Sequence, residues 1–486
     1  MHLNKLTFFL QQYFPIIFLG GMLLFAEAYS QYSRTHYHRT KQQRDAQHPK
    51  VAQRWLQKRP KGIVIGKAGG KYFCIPESRD LLNLICLGGS GSGKSSGPLA
   101  CTILQNHVDQ GFTYLTIDIK GELHRLLPSG SYLLIDPTDR EHSVGWDPYF
   151  RLHERENQPD DLQIEVFTGI ARSLIPSNEK DKYFSENAIA MLSGLLAYGF
   201  SKGETICDTI GWILTTSISE RIKKISEEAN PMDVCMFFLG KFVGKTSEGF
   251  EDIISTMTTS LSCFSLQEVQ YIFRDNPMRI GMDAVRKNNI FLSVPDNLLT
   301  ESQFSPIFRL IIEQQLTYLT LKLPEKGQRP VGILIDEFYA LGKLSVIKHQ
   351  LSICRGYGVF IALFTQSLAG IEELYGKEGA RVITENTRIK VILECTDTTT
   401  SQMIVDWSGT YHERMNSHNT GRRAGSGGIS WQVKNVFDKS DFADLVERNR
   451  IIVISPSGMN QINKVQWFRT THFKRIHKVL NKEELS

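Results

Sequence analysis

The chain has 486 residues, of which 41% are hydrophobic and 22% charged, an ordinary composition for a globular protein of roughly two to four domains. The formal net charge of +5 is far below that of a dedicated DNA-binding domain, so nucleic acid is an allowed partner that charge alone does not require. The eight cysteines are widely spaced, without a CxxC pair or a His/Cys cluster at metal-ligand spacing, which predicts reduced and mostly buried thiols in a cytosolic compartment.

The first segment of the chain is apolar from Leu6 to Ala28, where it reads LTFFLQQYFPIIFLGGMLLFAEA. With a rise of about 1.5 Å per residue, one helix of this length can cross a bilayer. The segment therefore predicts a single transmembrane anchor within residues 1–30. A cleaved signal peptide is the competing interpretation, because Lys5 precedes the apolar run and residues 26–28, AEA, resemble a cleavage site.

A basic linker, residues 31–60, follows the predicted anchor. Residues 34–61 carry nine lysines and arginines but a single acid, Asp45. Under the positive-inside rule such a flank stays in the cytoplasm, so we expect Met1 outside and Ser486 inside. A solvated linker, attraction to anionic lipid and contact with DNA are the alternative roles of this flank.

After the linker, short apolar runs alternate with helical stretches, which is typical of a parallel α/β sheet. Residues 151–283 show mainly amphipathic helix patterns. We therefore predict an α/β domain in two parts, 61–150 and 284–486, with an all-α domain, 151–283, inserted between them. The runs predicted as strands are GIVIG, LLNLICLGG, FTYLTIDIKGE, SYLLIDP, NNIFLSV, VGILIDEF, VFIALFTQ, TRIKVILE and RIIVISPSG.

A stretch rich in Gly and Ser, NSHNTGRRAGSGGISW, occupies residues 416–431. Its composition predicts a mobile loop. A solvated loop is the simpler interpretation of Arg422 and Arg423, and contact with phosphates is the alternative.

The segment LICLGGSGSGKSSGPL, residues 84–99, contains the spacing GxxxxGK[ST]. A strand pattern precedes the glycines and a helix pattern follows, which is the context that a phosphate-binding loop requires; a plain glycine-rich turn is the alternative. Lys94 is predicted to contact the β- and γ-phosphates of ATP, and Ser95 to ligate Mg²⁺ at the helix N-terminus. The predicted nucleotide-binding residues are Gly88, Gly89, Ser90, Gly91, Ser92, Gly93, Lys94, Ser95 and Ser96.

Two further strand ends carry polar groups that suit ATP hydrolysis. The run VGILIDEF ends in Asp336, predicted to hold Mg²⁺ through water, and Glu337, predicted to act as general base on the attacking water. The run VFIALFTQS ends at Gln366, whose amide is suited to sensing the γ-phosphate or orienting that water. A capping role is the alternative for Gln366.

These motifs, together with TIDIKGELHRL, ICRGYGVFIALFTQSLAGIEELYG and DKYFSENAIAMLSGLLAY, resemble those of the type IV secretion coupling proteins, the TraG/TraD-type conjugation ATPases. The resemblance covers about residues 62–473. It implies a RecA-like P-loop ATPase domain with an all-α domain, anchored in the bacterial inner membrane and assembled as a homo-hexamer. The partners that it implies are the channel components, a relaxase–DNA complex or protein effectors, and DNA bound without sequence preference.

By position in these motifs, the resemblance assigns Walker A roles to Lys94 and Ser95, Walker B roles to Asp336 and Glu337, and the conserved glutamine to Gln366. It implies Arg355, just before a Gly-Tyr-Gly turn, as the arginine that reaches a neighbouring subunit's nucleotide, and Arg388 is the rival candidate. The chain departs from the family in having one predicted N-terminal span where two are usual, and Ile119 where proline is common. Asp118 and Glu122 are either turn and cap residues or neighbours of the nucleotide or channel.

Two other functions stay open at this point. One is a double-stranded DNA translocase of the chromosome-segregation type, although such proteins usually have several spans and a C-terminal winged helix, which we do not expect in the final FKRIHKVLNKEELS. The other is a recruitment platform whose ATP site regulates oligomerisation. DNA-stimulated ATP hydrolysis separates a motor from a platform.

Overall fold

The structure is a computed structural model that describes residue 22 and residues 55–75, 82–155, 158–176, 182–293, 304–395, 397–417 and 428–483, with gaps of one or two residues between 438 and 457. The strands of the described chain are β1 (Leu56–Gln57), β2 (Ile63–Ala68), β3 (Lys71–Ile75), β4 (Leu84–Leu87), β5 (Thr113–Asp118), β6 (Leu133–Ile135), β7 (Gly145–Trp146), β8 (Arg279–Ile280), β9 (Ile290–Ser293), β10 (Val331–Ile335), β11 (Val359–Thr365), β12 (Ile389–Ile392), β13 (Thr410–Ser417), β14 (Gly428–Asn435), β15 (Arg450–Ser455) and β16 (Gly458–Lys464). The α-helices of the same residues are α1 (Ala100–Asp109), α2 (Phe150–His153), α3 (Asp160–Leu174), α4 (Lys182–Ser201), α5 (Ile206–Thr215), α6 (Ile218–Glu228), α7 (Val234–Leu239), α8 (Glu248–Leu261), α9 (Gln267–Gln270), α10 (Ser305–Leu319), α11 (Ile347–Ile353), α12 (Leu368–Asn386), α13 (Thr398–Ser408) and α14 (Thr471–Glu483).

A twelve-stranded sheet forms the centre of the fold, in the order β1-β3-β2-β16-β15-β12-β4-β11-β10-β5-β9-β6. The strands from β12 to β6 are parallel to one another, and those from β1 to β15 join them as an antiparallel extension. Because β4, β11 and β10 are adjacent and parallel, their carboxyl ends meet at one edge of the sheet. The chain segments that follow these three strands therefore lie side by side.

Each face of the sheet carries its own hydrophobic core. Ile85 and Leu87 of β4 belong to one cluster of buried side chains, and Leu84 and Cys86 belong to the other. This alternation follows from the two-residue period of a strand. Burial on both faces explains why the parallel strands read as continuous apolar runs.

The apolar runs located all seven parallel strands of the twelve-stranded sheet, and the other two runs, GIVIG and RIIVISPSG, mark β2 and β15 of the antiparallel extension. The strands β3 and β16 were missed. β3 pairs with β2 across a hairpin whose turn residues Gly69 and Gly70 have φ angles of 55° and 78°, and a Gly-Gly pair between two strand patterns is a usable hairpin signal. β16 has the sequence GMNQINK, whose polar alternation fits a strand with one exposed face.

The residues between β7 and β8 are mainly helical, as the sequence predicts. α4 is buried along most of its length and packs against α3, α7 and α8. β7 and β8 pair in parallel, with Gly145 opposite Arg279, so the chain leaves the sheet region and returns to it at neighbouring points. This pairing supports the proposal that an all-α domain is inserted there.

The predicted mobile loop over residues 416–431 needs a correction. Its first two residues belong to β13 and residues 428–431 belong to β14, which pair as an antiparallel hairpin. The Gly and Ser content masked the strand pattern ISWQVKN that starts inside the stretch. Residues 418–427, with Arg422 and Arg423, lie outside the described residues.

The predicted anchor, Leu6 to Ala28, lies outside the described residues except for Met22, and so does most of the basic linker. Among the residues that are described, no helix combines the length and apolar character needed to cross a membrane. All eight cysteines are buried and unbonded, which confirms the prediction of reduced, buried thiols.

Asn83, immediately before β4, is a buried polar residue that joins three strands. Its Nδ2 donates to the Leu351 carbonyl (2.8 Å), and its Oδ1 accepts from the backbone N–H of Ile361 in β11 (2.9 Å). Its backbone carbonyl accepts from the N–H of Ile389 in β12 (3.2 Å). These bonds fix the amino ends of β4, β11 and β12 relative to one another.

We predict that Asn83→Ala lowers the free energy of unfolding by about 1 to 3 kcal/mol, because the buried partners of the amide lose their hydrogen bonds. Urea denaturation measures this loss. The matched control is Asn288→Ala, since Asn288 is exposed and its side chain donates only to the Ala284 carbonyl one turn earlier (3.2 Å); it should change stability by less than about 0.5 kcal/mol. Equal effects of the two substitutions would contradict the role given to Asn83.

Candidate nucleotide-binding site

The loop after β4 turns at two glycines. Gly91 and Gly93 have φ angles of 77° and 86°, in the left-handed region that glycine adopts without strain. The N–H of Gly88 donates to the Thr365 carbonyl (3.2 Å), which ties the start of the loop to the end of β11. The chain then runs through Ser95–Leu99, where Gly97 has the non-helical angles φ −97° and ψ −106°, and continues into α1. The strand–loop–helix arrangement is thus present, with a kink at Gly97 before the regular helix α1 begins.

Lys94 lies in the middle of this loop and is only 7% exposed. Its Nζ donates to the carbonyls of Gly88 (2.6 Å) and Gly89 (3.3 Å) and lies 3.8 Å from Oε2 of Glu337. The loop backbone and one carboxylate therefore hold the ammonium in place. A fixed cation beside a helix N-terminus attracts anions such as phosphate.

Ser95 and Asp336 meet across the two strand ends. The Ser95 hydroxyl donates to Oδ2 of Asp336 at 2.7 Å, which joins the loop after β4 to the residue after β10. Hydroxyl and carboxylate oxygens are the ligands that Mg²⁺ takes from a protein when phosphates and waters supply the rest. In the described part of the chain, no group of three or more His, Cys, Asp or Glu residues could hold a metal ion. The pair thus fits a magnesium ion shared with a nucleotide better than an all-protein metal site.

Burial makes Asp336 an unusual carboxyl group. It is 4% exposed, and burial raises its pKa from 3.8 to about 6, with the negative charges of Asp118 and Glu337 acting in the same direction. The Ser95 hydroxyl and the Lys94 ammonium lower the pKa but do not cancel the rise. Since the charges of Asp118 and Glu337 both act on the buried Asp336, a cation bound beside this carboxylate is favoured.

Glu337 and Gln366 form the outer part of the site. The Gln366 Nε2 donates to Oε2 of Glu337 at 3.3 Å. Glu337 has φ 64° and ψ 67°, a left-handed conformation that is strained for a residue with a side chain. The strain and the amide contact aim this carboxylate at Lys94, in a position suited to activating water next to a phosphate.

A cavity of about 1050 Å³ opens beside these two residues. Glu337, Gln366 and Tyr339 line it on the side of the sheet edge, and Thr259 lines it on the side of α8. The buried Arg309 of α10 also lines it. The cavity therefore connects the carboxyl edge of the sheet with the helical region.

Asp118, at the end of β5, has a structural role that the geometry makes plain. Its carboxylate is fully buried and accepts from the N–H groups of Glu122 (3.2 Å), Leu123 (2.9 Å) and His124 (3.1 Å). The Glu122 side chain is exposed. Of the two interpretations, the turn-forming one fits Asp118, which shapes the DIKGE segment beside β10.

The two candidate arginines lie far from the loop of their own chain. Arg355 is in the turn Cys354–Tyr357 before β11, and Arg388 directly precedes β12; both are exposed. They sit at the amino edge of the sheet, and β11, with 7 residues, spans about 23 Å between the two edges. The structure therefore does not bring either arginine to the site of its own chain.

Residues that sequence reasoning missed lie on the other side of the loop. Lys464 donates to the Ser92 carbonyl, and a Cβ added at Gly89 would lie 3.1 Å from Oε2 of Glu394. Both residues come from strands or strand ends far along the chain, and neither belongs to a motif. The sequence offers one signal for Glu394: it is the last residue of the predicted strand TRIKVILE, and Asp336 and Gln366 also lie at the ends of predicted strands.

The chain matches the family described as Type IV secretory system Conjugative DNA transfer over residues 32–484. It belongs to this family. Curated relatives support the match. VirD4 of Agrobacterium fabrum is 27% identical over 199 residues, which are 40% of this chain and 30% of that protein. TraG of Escherichia coli is 21% identical over 367 residues, which are 68% of this chain and 55% of that protein. The chain thus spans between about a third and about half of these relatives' length.

Solved structures show the same fold. The bacterial conjugative coupling protein TrwB in an unbound form has a TM-score of 0.66 at 17% identity, covering 86% of this chain and 90% of that one. TrwB in complex with ADP and Mg²⁺ also has a TM-score of 0.66, at 15% identity, covering 85% of this chain and 91% of that one. The predicted α/β fold with a large parallel sheet is confirmed.

The raised pKa of Asp336 leads to a stability prediction. Its carboxyl ionises near pH 6 in the folded protein and near 3.8 when unfolded, so the folded state binds an extra proton between these values and its stability falls as pH rises through them. Asp336→Asn removes this cost. The variant should gain stability over the wild type from pH 4 upwards, reaching about 1 to 3 kcal/mol above pH 6. Urea denaturation at pH 4.5, 5.5 and 7.5 measures the difference, and a pH-independent difference would refute the assignment.

Proposed function

We propose that this protein is a membrane-anchored, hexameric ATPase that couples a relaxase–DNA complex or protein effectors to a type IV secretion channel and helps drive their transfer. The observation that carries the proposal is the contact between Ser95 and Asp336 beside Lys94. It joins a phosphate-binding loop to a metal-binding carboxylate in one buried site. VirD4 of Bartonella quintana, 24% identical over 264 residues, is named a type IV secretion system-coupling protein, and this name supports the coupling role.

The loop after β4 and Asp336 after β10 bind different parts of Mg²⁺–ATP. The N–H groups of Gly88–Ser96 cradle the phosphates, and Lys94 exchanges its bonds to loop carbonyls for the β- and γ-phosphates. Ser95 and Asp336 would hold Mg²⁺ with their hydroxyl and carboxylate oxygens. Bound Mg²⁺ neutralises charge that develops on the phosphate oxygens. The TrwB structure with ADP and Mg²⁺ supports both ligands for a protein of this fold.

Glu337 and Gln366 are the residues that promote hydrolysis. The Glu337 carboxylate accepts a proton from the attacking water, and its left-handed backbone keeps it directed at the loop. The Gln366 amide donates to Glu337 and so fixes the carboxylate and the water that it orients. Both groups face the open cavity, where a neighbouring subunit can approach.

The wider organisation of the protein is part of the proposal. Residues 1–30 anchor it once in the bacterial inner membrane, 31–60 form the basic linker, and the ATPase lies in the cytoplasm. The two nucleotide-binding parts, 61–150 and 284–486, carry the site, and the all-α domain, 151–283, is the place where cargo-specific contacts are expected. DNA is bound without sequence preference.

Lys94→Ala should lower ATP hydrolysis by at least about 100-fold, because it removes the cation that offsets transition-state charge. A phosphate-release assay on the full-length protein in detergent or vesicles measures hydrolysis, and a transfer assay in cells measures function. The control is Lys326→Ala, an exposed lysine in the loop before β10, which should hydrolyse ATP like the wild type. Normal turnover by Lys94→Ala would overturn the proposed site.

Stimulation of the wild-type rate of ATP hydrolysis by DNA supports a motor, whereas a rate that neither DNA nor cargo changes contradicts the coupling role.

Arg355→Ala should bind ATP normally but hydrolyse it about 1000-fold more slowly or worse, because the neighbour's γ-phosphate loses its arginine. Mixing this variant with Glu337→Gln subunits should restore part of the activity, since Arg355→Ala subunits keep intact Walker motifs and can receive an arginine from a Glu337→Gln neighbour. Unchanged hydrolysis by Arg355→Ala would move the role to Arg388, for which Arg388→Ala is the parallel test.

A further inference from the structure

Lys464, the last residue of β16, reaches over the phosphate-binding loop. Its Nζ donates a hydrogen bond to the Ser92 carbonyl. Its aliphatic chain covers the next residue, since a Cβ on Gly93 would lie 2.8 Å from the Lys464 Cε. Lys464 is half-buried; burial and the positive charge of Arg469 lower the pKa of its ammonium, and the negative charge of Glu394 opposes this shift. A second ammonium group, besides that of Lys94, is therefore fixed against the loop.

The residues after β16 continue along the loop towards α1. The N–H of Trp467 donates to the Ser96 carbonyl (3.0 Å). A Cβ added at Gly97 would lie 2.8 Å from the Val465 carbonyl, so the two backbones are in close contact. The segment Lys464–Trp467 thus touches the loop on both sides of its phosphate-binding centre and forms one wall of the site.

The order of the strands determines which part of a nucleotide this wall faces. Glu337 and Gln366 follow β10 and β11, which lie on one side of β4. The strands β12, β15 and β16 lie on its other side. A nucleotide that presents its γ-phosphate to Glu337 has its α-phosphate and nucleoside on the side of β16, because the chain of phosphates is held at its middle by the loop after β4.

We propose that Lys464 is a second phosphate-binding cation and that the segment Lys464–Trp467 is the wall of the nucleotide site next to the α-phosphate and nucleoside. This inference rests on the proposed binding of ATP to the loop. The ligand class is a nucleoside di- or triphosphate. Since Lys464 lies away from Glu337, its charge acts on nucleotide binding and not on the hydrolysis step. It acts equally on ATP and ADP, because both carry an α-phosphate.

The direct test is Lys464→Met in the full chain, which removes the charge and keeps the aliphatic cover over Gly93. The Kd values for ATP and ADP, measured by isothermal titration calorimetry, should each rise about tenfold with their ratio unchanged, because a charge-assisted hydrogen bond is lost. KM for ATP should rise with Kd, while kcat changes by less than about twofold. Lys464→Arg keeps the charge and should restore most of the affinity.

Lys474→Met is the control, since Lys474 is an exposed lysine of α14, and its Kd values should equal those of the wild type. Circular dichroism checks folding. If Lys464→Met does not fold, Lys464→Gln, whose amide can still donate to Ser92, provides the same test of the charge. Unchanged Kd values, a loss confined to ATP, or a lower kcat without a change in Kd would each overturn the inference.

The same data separate this inference from the proposed function. A wild-type protein that binds neither ATP nor ADP contradicts the proposed function itself. A wild type that binds both nucleotides, and loses affinity through Lys94→Ala but not through Lys464→Met, leaves the ATPase standing and refutes only the role of Lys464.

Discussion

The position of β11 between β4 and β10 determines which side chains meet at the nucleotide site. Leu87 of β4 pairs with Thr365 of β11, and Ile335 of β10 pairs with Leu363. The residues that directly follow β4, β10 and β11 are then Gly88, Asp336 and Gln366. Because side chains alternate between the faces of a strand, a slip of one residue in either pairing would turn the carboxylate or the amide away from the loop. The buried register of these strands is thus the basis of the site, and Asn83 secures it at the opposite edge.

The helix α10 extends this arrangement to the helical region. Arg309 and Glu313, one turn apart and both buried, face the end of α3: Arg309 donates to the Ser173 carbonyl (3.2 Å), and Glu313 accepts from the Ser173 hydroxyl (2.6 Å). Glu313 also accepts from the hydroxyl of Ser345 (3.0 Å), in the segment that follows Asp336. Buried charges are costly unless they are fully hydrogen-bonded. A displacement of the segment after Asp336 or of α3 therefore changes the same set of buried bonds.

The sequence was informative wherever a local pattern carries the information. Continuous apolar runs marked the parallel strands because these are buried on both faces, and the spacing of Gly88, Gly93 and Lys94 marked the loop because its geometry needs those residue types. Lys464 could not be found in this way, since its contact with Ser92 joins residues 372 positions apart through a strand of mixed polarity. The turn role of Asp118 is not evident from the sequence because three of its partners are backbone N–H groups, whose positions no side-chain pattern reveals.

The most direct test of the account is an experimental structure of the full-length protein with Mg²⁺ and a non-hydrolysable ATP analogue. We predict the metal on the Ser95 hydroxyl with Asp336 beside it, the Lys94 ammonium on the β- and γ-phosphates, and Glu337 at the γ-phosphate facing an adjoining subunit. An analogue bound elsewhere, or bound to the loop with the metal away from Ser95 and Asp336, would contradict it.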